Sequence, residues 1–249
     1  MNSDSEIEII RPDWPASGNI HAFCSTRKSG VSRGEFSGLN LALHVEDNPQ
    51  YVALNRQQLK QQLHLPAEPL WLNQVHGTQV INASATAEST PDADASYATI
   101  SNQVCVVMTA DCLPVLICNR KSNKVAAAHA GWRGLADGVI EKTIESLNEK
   151  PEELLVWLGP AIGPDAFEVG EDVYHAFVAD LPQAEIAFKA NRPGHYLADI
   201  YQLARLRLNR LGVNAIYGGE YCTCSDVDHF YSYRRDGKTG RQASLIWFE

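Results

Sequence analysis

The sequence predicts a single domain of the mixed α/β class (α+β type), in which strand–turn–strand units are interspersed with amphipathic helices. The chain of 249 residues is 45% hydrophobic, which fits one domain with a substantial buried core. Short apolar runs separated by turn residues recur along the chain and indicate strands, while a few longer segments have helical spacing. No linker, internal repeat or low-complexity segment divides the chain, so we expect one domain over residues 1–249.

Runs rich in apolar, β-branched and aromatic residues mark the expected strands, because such residues fit a pleated and buried surface. In chain order, strands are predicted at 6–15 (short, followed by a loop), 19–26, 70–81 (a strand–turn–strand unit), 104–108, 113–117, 124–128, 152–158, 215–217 and 230–248 (strand, turn, strand). These connections favour mixed sheets over a doubly wound parallel sheet.

Apolar residues at helical spacing, together with suitable ends, predict the helices. The first runs from Asn48 to about Leu63; Asp47 or Asn48 can cap it, and Pro49 suits its first turn. Further helices are predicted at 135–148, within 167–181 and at 199–211. The polar, proline-bearing stretch 83–93 predicts a surface loop.

Three potential metal ligands lie at the ends of apolar runs. Cys112 separates two runs, His129 directly follows a third, and His76 lies in the turn of the unit at 70–81. Two imidazoles and one thiolate suit Zn²⁺, and three protein ligands leave the fourth position for water. Taken singly, Cys112 also fits a small buried apolar residue and His129 a hydrogen-bonded structural one. The spacing alone leaves both interpretations open.

Bulk properties exclude several classes of partner. A formal net charge of −9 disfavours nonspecific binding to nucleic acid or an anionic membrane. The N-terminal MNSDSEIEII lacks the basic and apolar regions of a signal peptide, and no apolar run approaches the ~20 residues that span a bilayer. We therefore expect a cytoplasmic protein whose six cysteines are reduced thiols.

Three segments around these ligands resemble the signature segments of one known family. They are NQVHG at 73–77, TADCLP at 109–114 and AHAGWRG at 128–134. The chain resembles the laccase-domain family, also called multicopper polyphenol oxidoreductase or YfiH-like. The similarity continues in order from Thr26 to Arg241 and so covers nearly the whole chain.

The resemblance implies a fold, a metal site and an activity. The implied fold is a layered α-β-β-α sandwich, with the metal carried by His76, Cys112 and His129. The implied activity is purine nucleoside phosphorylase: phosphorolysis of adenosine, inosine, guanosine and S-methyl-5′-thioadenosine, with additional deamination of adenosine. The implied partners are therefore small-molecule purine nucleosides and phosphate, and we expect a monomer or a weak homo-oligomer.

Further site residues are predicted from the chemistry that these reactions need. Proton transfer calls for a carboxylate, and phosphate is held well by the fork of a guanidinium group. Family-like segments supply three carboxylates, Asp94, Asp111 and Glu168, of which the first two join His76, Cys112 and His129 in the predicted catalytic set. The predicted substrate and phosphate ligands are Arg27, Asn40, Asn73, Gln74, Arg133 and Arg234.

Three other functions remain open at this stage. Two His and one Cys also resemble a type 1 copper set, with Met108 as an axial ligand, although the eight scattered histidines do not match a trinuclear copper centre. A hydrolase with Cys112 as nucleophile and His129 as base is a second alternative. The third is a metal-stabilised binding protein without activity of its own.

Overall fold

Two large sheets stacked face to face form the centre of the computed structural model, which describes residues 6–84 and 90–249. In chain order the strands are β1 (Ile9–Ile10), β2 (Ile20–Ser25), β3 (Val80–Asn82), β4 (Ala95–Ala98), β5 (Cys105–Thr109), β6 (Leu113–Asn119), β7 (Val125–Ala130), β8 (Leu154–Leu158), β9 (Glu168–Gly170), β10 (Phe188–Arg192), β11 (His195–Ala198), β12 (Ile216–Gly218) and β13 (Gln242–Phe248). The helices are α1 (Pro49–Gln62), α2 (Trp132–Asp137), α3 (Val139–Leu147), α4 (Glu171–Val178), α5 (Ile200–Arg210) and α6 (Tyr233–Asp236).

The strands form one antiparallel sheet, one mixed sheet and one small sheet. The antiparallel sheet has the order β1-β2-β13-β5, and the mixed sheet has the order β12-β8-β6-β7-β4-β3. In the mixed sheet, the pairs β12–β8 and β3–β4 are parallel and the others are antiparallel. A third, three-stranded sheet has the order β10-β11-β9.

Three apolar clusters hold these layers together. The middle cluster joins the two large sheets, with Val107 and Ile246 from one and Leu116 and Trp157 from the other. The second covers the outer face of the antiparallel sheet and includes Leu59 of α1. The third buries the outer face of the mixed sheet under α3, α4 and α5. The predicted layered α-β-β-α sandwich with mixed sheets is therefore confirmed.

Both faces of β6 are buried, which explains its uninterrupted apolar sequence. Leu113, Val115 and Ile117 face the helices, whereas Leu116 faces the other sheet. A strand covered on both sides needs apolar residues at successive positions rather than at alternate ones. None of the helices in the described ranges has the length and apolar composition needed to span a bilayer.

Two helical predictions are corrected by the structure. The helix predicted at 135–148 is two helices, α2 and α3, because Gly138 between them adopts a left-handed φ of 96°. Within 230–236, where a strand was predicted, the chain forms the short helix α6, and the Ser232 side chain accepts a hydrogen bond from Arg235 N at its start. The side chain of Ser232 thus provides a helix N-cap, a local bond that competes with strand pairing.

The region from 70 to 98 also differs from its prediction. Only Val80–Asn82 is a regular strand in the predicted strand–turn–strand unit, and Leu70 forms an isolated bridge with Cys105. Strand β4 directly follows Asp94 and was not predicted. Residues 85–89 of the predicted loop lie outside the described part of the chain.

Truncation of Leu116 tests the importance of the contact between the sheets. Leu116→Ala removes a side chain that is fully buried between the sheets, so we expect the free energy of unfolding to fall by about 2–5 kcal/mol. Leu54 on α1 is 50% exposed, and Leu54→Ala is the matched control, with an expected change of about 0.5 kcal/mol or less. Equal losses in urea denaturation of the two variants would contradict the layered packing.

Candidate metal centre

The pairing of β6 with β7 places Cys112 beside His129. Leu113 is opposite Ala130, and Pro114 is opposite His129. Cys112 lies one residue before β6, so it lies next to the residues that end β7. The register of one antiparallel pair thus brings together two side chains that are 17 positions apart in the sequence.

A buried carboxylate brings the third ligand to the same place. Asp94 Oδ1 accepts hydrogen bonds from His76 N (2.9 Å) and His129 Nδ1 (2.8 Å). Its Oδ2 accepts from Gly77 N (2.7 Å) and Val75 N (3.2 Å). Asp94 is fully buried, so these bonds fix the His76 loop against β7. Because Nδ1 of His129 is bonded to Asp94, Nε2 is the nitrogen left to bind a metal.

The donor atoms of His76, Cys112 and His129 are spaced for a shared ion. All three lie within 4.8 Å of one another, and Cys112 Sγ is 3.9 Å from His76 Nε2. The two imidazole rings have centroids 4.8 Å apart and are nearly perpendicular. Ligand bonds of about 2.0–2.3 Å bring such donors to about 3.5 Å of one another, so binding an ion requires only a small contraction. The three residues therefore fit a metal with three protein ligands.

Gly131 leaves the space that the three side chains occupy. A Cβ atom at this position would lie 2.8 Å from His76 Cδ2 and 3.2 Å from Cys112 Sγ. Contacts this short do not occur without displacement of the side chains involved. The glycine of the AHAGWRG segment is thus required sterically, because any side chain would push two of the three ligands away.

Without a metal, the charges of Cys112, His129 and Asp94 favour a thiolate at Cys112 beside a protonated imidazole at His129. Burial by itself raises the pKa of the Cys112 thiol, but the neighbouring His129 and His76 shift this pKa below its usual value. Burial lowers the pKa of His129, whereas the charges of Cys112 and Asp94 and their hydrogen bonds raise it. A thiolate is therefore favoured at Cys112, and thiolate is the form in which cysteine binds a metal. The raised pKa of His129, about 9, means that its imidazole has to release a proton when Nε2 binds a metal.

A pocket of about 310 Å³ opens at this centre. Its apolar wall consists of side chains from α2, from α5 and from the segment between β8 and β9, namely Trp132, Ile162, Phe167 and Ile200. Its polar lining includes Gln74, Arg234, His44 and Arg241. The volume lies at the lower end of the range for small-molecule sites, and a mostly apolar lining with a few polar groups is typical of them.

Two residues predicted to act directly are instead engaged in bonds that hold the site together. Asp111 has a left-handed φ of 94°, and its carboxylate accepts hydrogen bonds from Thr223 Oγ1 (2.6 Å), Ser232 Oγ (3.0 Å) and Arg234 N (2.7 Å). Gln74 lines the pocket, but its amide makes two 2.8 Å bonds to the backbone of Met108. Both side chains fix the segments that surround Cys112.

Other predicted polar residues lie away from the pocket lining. Asn40 is buried and bonded to Asp47, Ala42 and Arg241 N. Asn73 donates to exposed Asp92. These two amides therefore shape the loops around the centre. Glu168 forms an ion pair with Arg192 that, with the bond from Asn191, lowers its pKa to about 2.

The structure separates the three predicted phosphate-binding arginines. Arg234 lines the pocket. Arg133 is exposed and lies over the Trp132 ring, with Cζ 4.3 Å from the centroid. Arg27 lies over Tyr231 and lines a different surface depression. Of the three, only Arg234 is placed to contact a ligand at the metal centre.

Sequence reasoning assigned no role to His44 and Arg241, which both line the pocket. Both stand in short stretches that resemble the family, His44 with Val45 and Arg241 with Thr239 and Gly240, so the resemblance carried a signal for them. Their distance from the three signature segments along the chain concealed their proximity to Cys112. For Arg241, the pairing of β13 with β5 brings the residue close to Cys112, because the following residue, Gln242, is opposite Thr109.

The geometry agrees with comparisons to known proteins. The family described as multi-copper polyphenol oxidoreductase laccase matches residues 21–249. The chain belongs to this family. The three segments that resemble the family supply His76, Cys112 and His129, which together could hold a metal ion.

Relatives in this laccase family are similar over almost their whole length. A purine nucleoside phosphorylase of Pseudomonas aeruginosa is 52% identical over 241 residues, covering 96% of this chain and 98% of that protein. Purine nucleoside phosphorylase YfiH of Escherichia coli is 51% identical over 240 residues, with the same coverage. The crystal structure of Neisseria meningitidis protein NMB0706 matches with a TM-score of 0.94 and 51% identity, covering 98% of this chain and 100% of that chain. The predicted family membership is confirmed.

Removal of the Asp94 charge tests how the ligands are positioned. We expect Asp94→Asn to lower divalent metal affinity about 10–100-fold, because the amide has one acceptor oxygen for donors that now share two. Calorimetric titration with Zn²⁺ measures this change. Asp92 is exposed and two residues away, so Asp92→Asn is the control and is expected to bind as the wild type does. An unchanged affinity in Asp94→Asn would contradict the positioning role.

Substitution of Gly131 tests the steric requirement. Gly131→Ala introduces a methyl group into the space occupied by His76 and Cys112, so we expect a loss of metal affinity of about tenfold or more. A methyl group at Gly18 would have no heavy atom within 4 Å, and Gly18→Ala controls for the substitution itself. If both variants bind Zn²⁺ with wild-type affinity, the three side chains do not meet as described.

Proposed function

We propose that this chain is a zinc-dependent purine nucleoside phosphorylase. Its substrates would be adenosine, inosine, guanosine and S-methyl-5′-thioadenosine, and its products the free base and ribose 1-phosphate or its methylthio form. The observation that carries the proposal is the convergence of His76, Cys112 and His129 on a pocket lined by apolar side chains and guanidinium groups. Relatives about half identical to this chain carry the name of this enzyme.

The donor set supports zinc as the metal. Two imidazoles and a thiolate suit Zn²⁺, and three protein ligands leave a position for water or substrate. When bound, zinc supplies a Lewis acid and lowers the pKa of coordinated water to about 7. Asp94 fixes the orientation of the two imidazole ligands, since its carboxylate bonds to the His129 ring and to the backbone of the His76 loop.

The pocket offers the parts that phosphorolysis requires. A phosphate oxygen bonds to C1′ of the ribose while the C1′–N9 bond breaks, and the purine leaves with the bonding electrons and takes up a proton. The apolar wall formed by Trp132, Ile162, Phe167 and Ile200 suits a purine ring and excludes water from it. The guanidinium groups of Arg234 and Arg241 in the same lining suit phosphate, because their fork bonds two oxygens at once.

Deamination of adenosine is the proposed side activity. This reaction replaces the 6-amino group by oxygen from water and releases ammonia. It needs a group that transfers a proton from the attacking water to the departing amine. Among the described residues that line the pocket, Asp111 is the only carboxylate, and three hydrogen bonds already engage it. This engagement is the reason to rank deamination below phosphorolysis.

The alternatives have less support from the geometry. As a copper axial ligand, Met108 would have to direct its thioether to the three metal ligands. Met108 does border the pocket, but its thioether packs in the cluster on the outer face of the antiparallel sheet and lies 4.0 Å from Arg56 Nη2. Only three of the eight histidines line the pocket. The paired charges of Cys112 and His129 also fit a thiol nucleophile, and metal removal distinguishes this hydrolase from the proposed enzyme.

Metal removal and replacement test the function. We expect chelation to abolish release of adenine and ribose 1-phosphate from adenosine and phosphate, and added Zn²⁺ to restore it. Omission of phosphate should leave only slow formation of inosine. Turnover that survives complete metal removal would contradict the proposal in favour of a Cys112 nucleophile. Oxygen uptake with a phenol after copper loading, without nucleoside turnover, would replace it by copper oxidation.

Loss of one ligand gives a second test. We expect Cys112→Ala to reduce nucleoside turnover by about 10³-fold or more, since the variant lacks the thiolate that holds the ion. Its thermal unfolding midpoint should stay close to that of the wild type. Cys224 is half-buried and lies outside the pocket, so Cys224→Ala serves as the control. A Cys112→Ala variant with wild-type turnover would exclude a role for this metal centre in the reaction.

A further inference from the structure

Arg241 is held rigidly at the rim of the metal centre. Its backbone N–H donates to Asn40 Oδ1 (3.0 Å), and its carbonyl oxygen accepts from Leu41 N (3.3 Å). It directly precedes β13, whose first residue is paired with Thr109 at the end of β5. The antiparallel pairing therefore places Arg241 beside the turn that carries Cys112.

The guanidinium group of Arg241 is bonded on one side only. Its Nη1 donates to the carbonyl oxygens of Thr239 (2.8 Å) and Gly240 (2.9 Å). No carboxylate within the described ranges forms an ion pair with it. Burial is the main influence on its pKa and lowers it, yet arginine remains protonated in proteins. The negative charges of Cys112 and Asp111 stabilise it from a distance, but neither is bonded to its guanidinium group, so a bound anion would add direct compensation.

Arg234, which also lines the pocket, is likewise bonded to backbone carbonyls. Its Nη1 donates to Ala166 O (3.1 Å) and its Nη2 donates to Glu168 O (2.9 Å). These are backbone carbonyls, so Arg234 too keeps its full positive charge. The carboxylate of Asp111 is turned to Thr223, Ser232 and the Arg234 backbone. A divalent metal bound by one thiolate and two neutral imidazoles adds a further net positive charge.

A buried hydroxyl group provides an independent indication of a polar ligand. Thr109 lines the pocket and is 2% exposed, but its Oγ1 has no hydrogen-bond partner in the described part of the chain. Buried hydroxyls are nearly always bonded, so one without a partner beside a pocket indicates a missing acceptor or donor. An oxyanion in the pocket would accept from Arg241 and, once a shift of the Thr109 side chain exposes the buried Oγ1, from this hydroxyl as well.

We propose that Arg241, assisted by Arg234 and Thr109, forms the subsite that binds inorganic phosphate in this pocket. The inference rests on the proposed phosphorolysis and deepens it, since the phosphate ligands become Arg241 and Arg234, whereas Arg27 and Arg133 lie elsewhere. The nucleoside base then packs against the apolar side chains that line the pocket, and phosphate binds at the two guanidinium groups in the same lining.

The experiment measures phosphate binding directly and independently of turnover. Inorganic phosphate is titrated calorimetrically into zinc-loaded protein, followed by separate measurement of KM for phosphate and for inosine. We expect Arg241→Gln to weaken phosphate binding and raise KM for phosphate by about tenfold or more, with KM for inosine changed by less than about twofold. Arg210 is exposed on α5 and paired with Asp180, so Arg210→Gln removes one charge as a control and should leave both values unchanged.

Several outcomes would overturn the assignment. Wild-type phosphate affinity in Arg241→Gln would do so, as would a rise in KM confined to inosine. Binding of adenosine 5′-monophosphate that is much tighter than that of phosphate, and that is lost in the same variant, would assign the subsite to a nucleotide phosphate group instead.

Two further results separate the possible failures. If Arg241→Gln no longer binds Zn²⁺, Arg241→Lys decides, because it keeps the charge but loses the fork, and we expect phosphate affinity between those of the wild type and background. If the wild type binds phosphate but shows no phosphorolysis, and Arg241→Gln no longer binds phosphate, the subsite is supported while the proposed function is excluded. Phosphorolysis with an unchanged KM for phosphate in Arg241→Lys and Arg241→Gln would exclude the subsite alone.

Discussion

The buried carboxylate of Asp94 is the interaction on which the centre depends. It accepts four hydrogen bonds, three from the backbone of the His76 loop and one from the ring of His129. A buried charge is stable only when such donors compensate it. The loop therefore has one favourable position against β7, and its imidazole is held beside that of His129 before any ion is bound. Asp94 orients the ligands and does not itself face the pocket.

The polarity of the pocket follows from where its acidic groups are turned. Asp94 lies behind His129, and Asp111 bonds to three donors on the segment around Ser232. Both carboxylates thus stabilise the protein's own loops. The guanidinium groups of Arg234 and Arg241 are held by backbone carbonyls instead. A chain with a net charge of −9 therefore carries a cationic pocket, which suits an anionic reactant.

Most of the fold could be predicted from the sequence because hydrophobic period and turn residues report local structure. Strands β2, β5, β6 and β7 and helices α1 and α5 lie within or close to their predicted ranges. The predicted secondary structure is wrong where the conformation of one residue, or one side-chain hydrogen bond, determines the local structure. Gly138 adopts a left-handed conformation that divides one apolar helical stretch into two helices. Ser232 caps a short helix in a segment whose aromatic residues favour a strand.

By itself, the sequence determined the mixed α/β class through its hydrophobic periodicity, and the family through contiguous segments. The resemblance to that family then implied the layered sandwich and the three ligands of a possible metal centre. The tertiary structure decided which side chains meet. It places Arg241 at the pocket and Arg27 in a separate depression. It also engages the Asp111 carboxylate in a hydrogen bond from Thr223. The physical reason is that contacts across strands depend on register and on buried hydrogen bonds, neither of which the spacing of residues along the chain records.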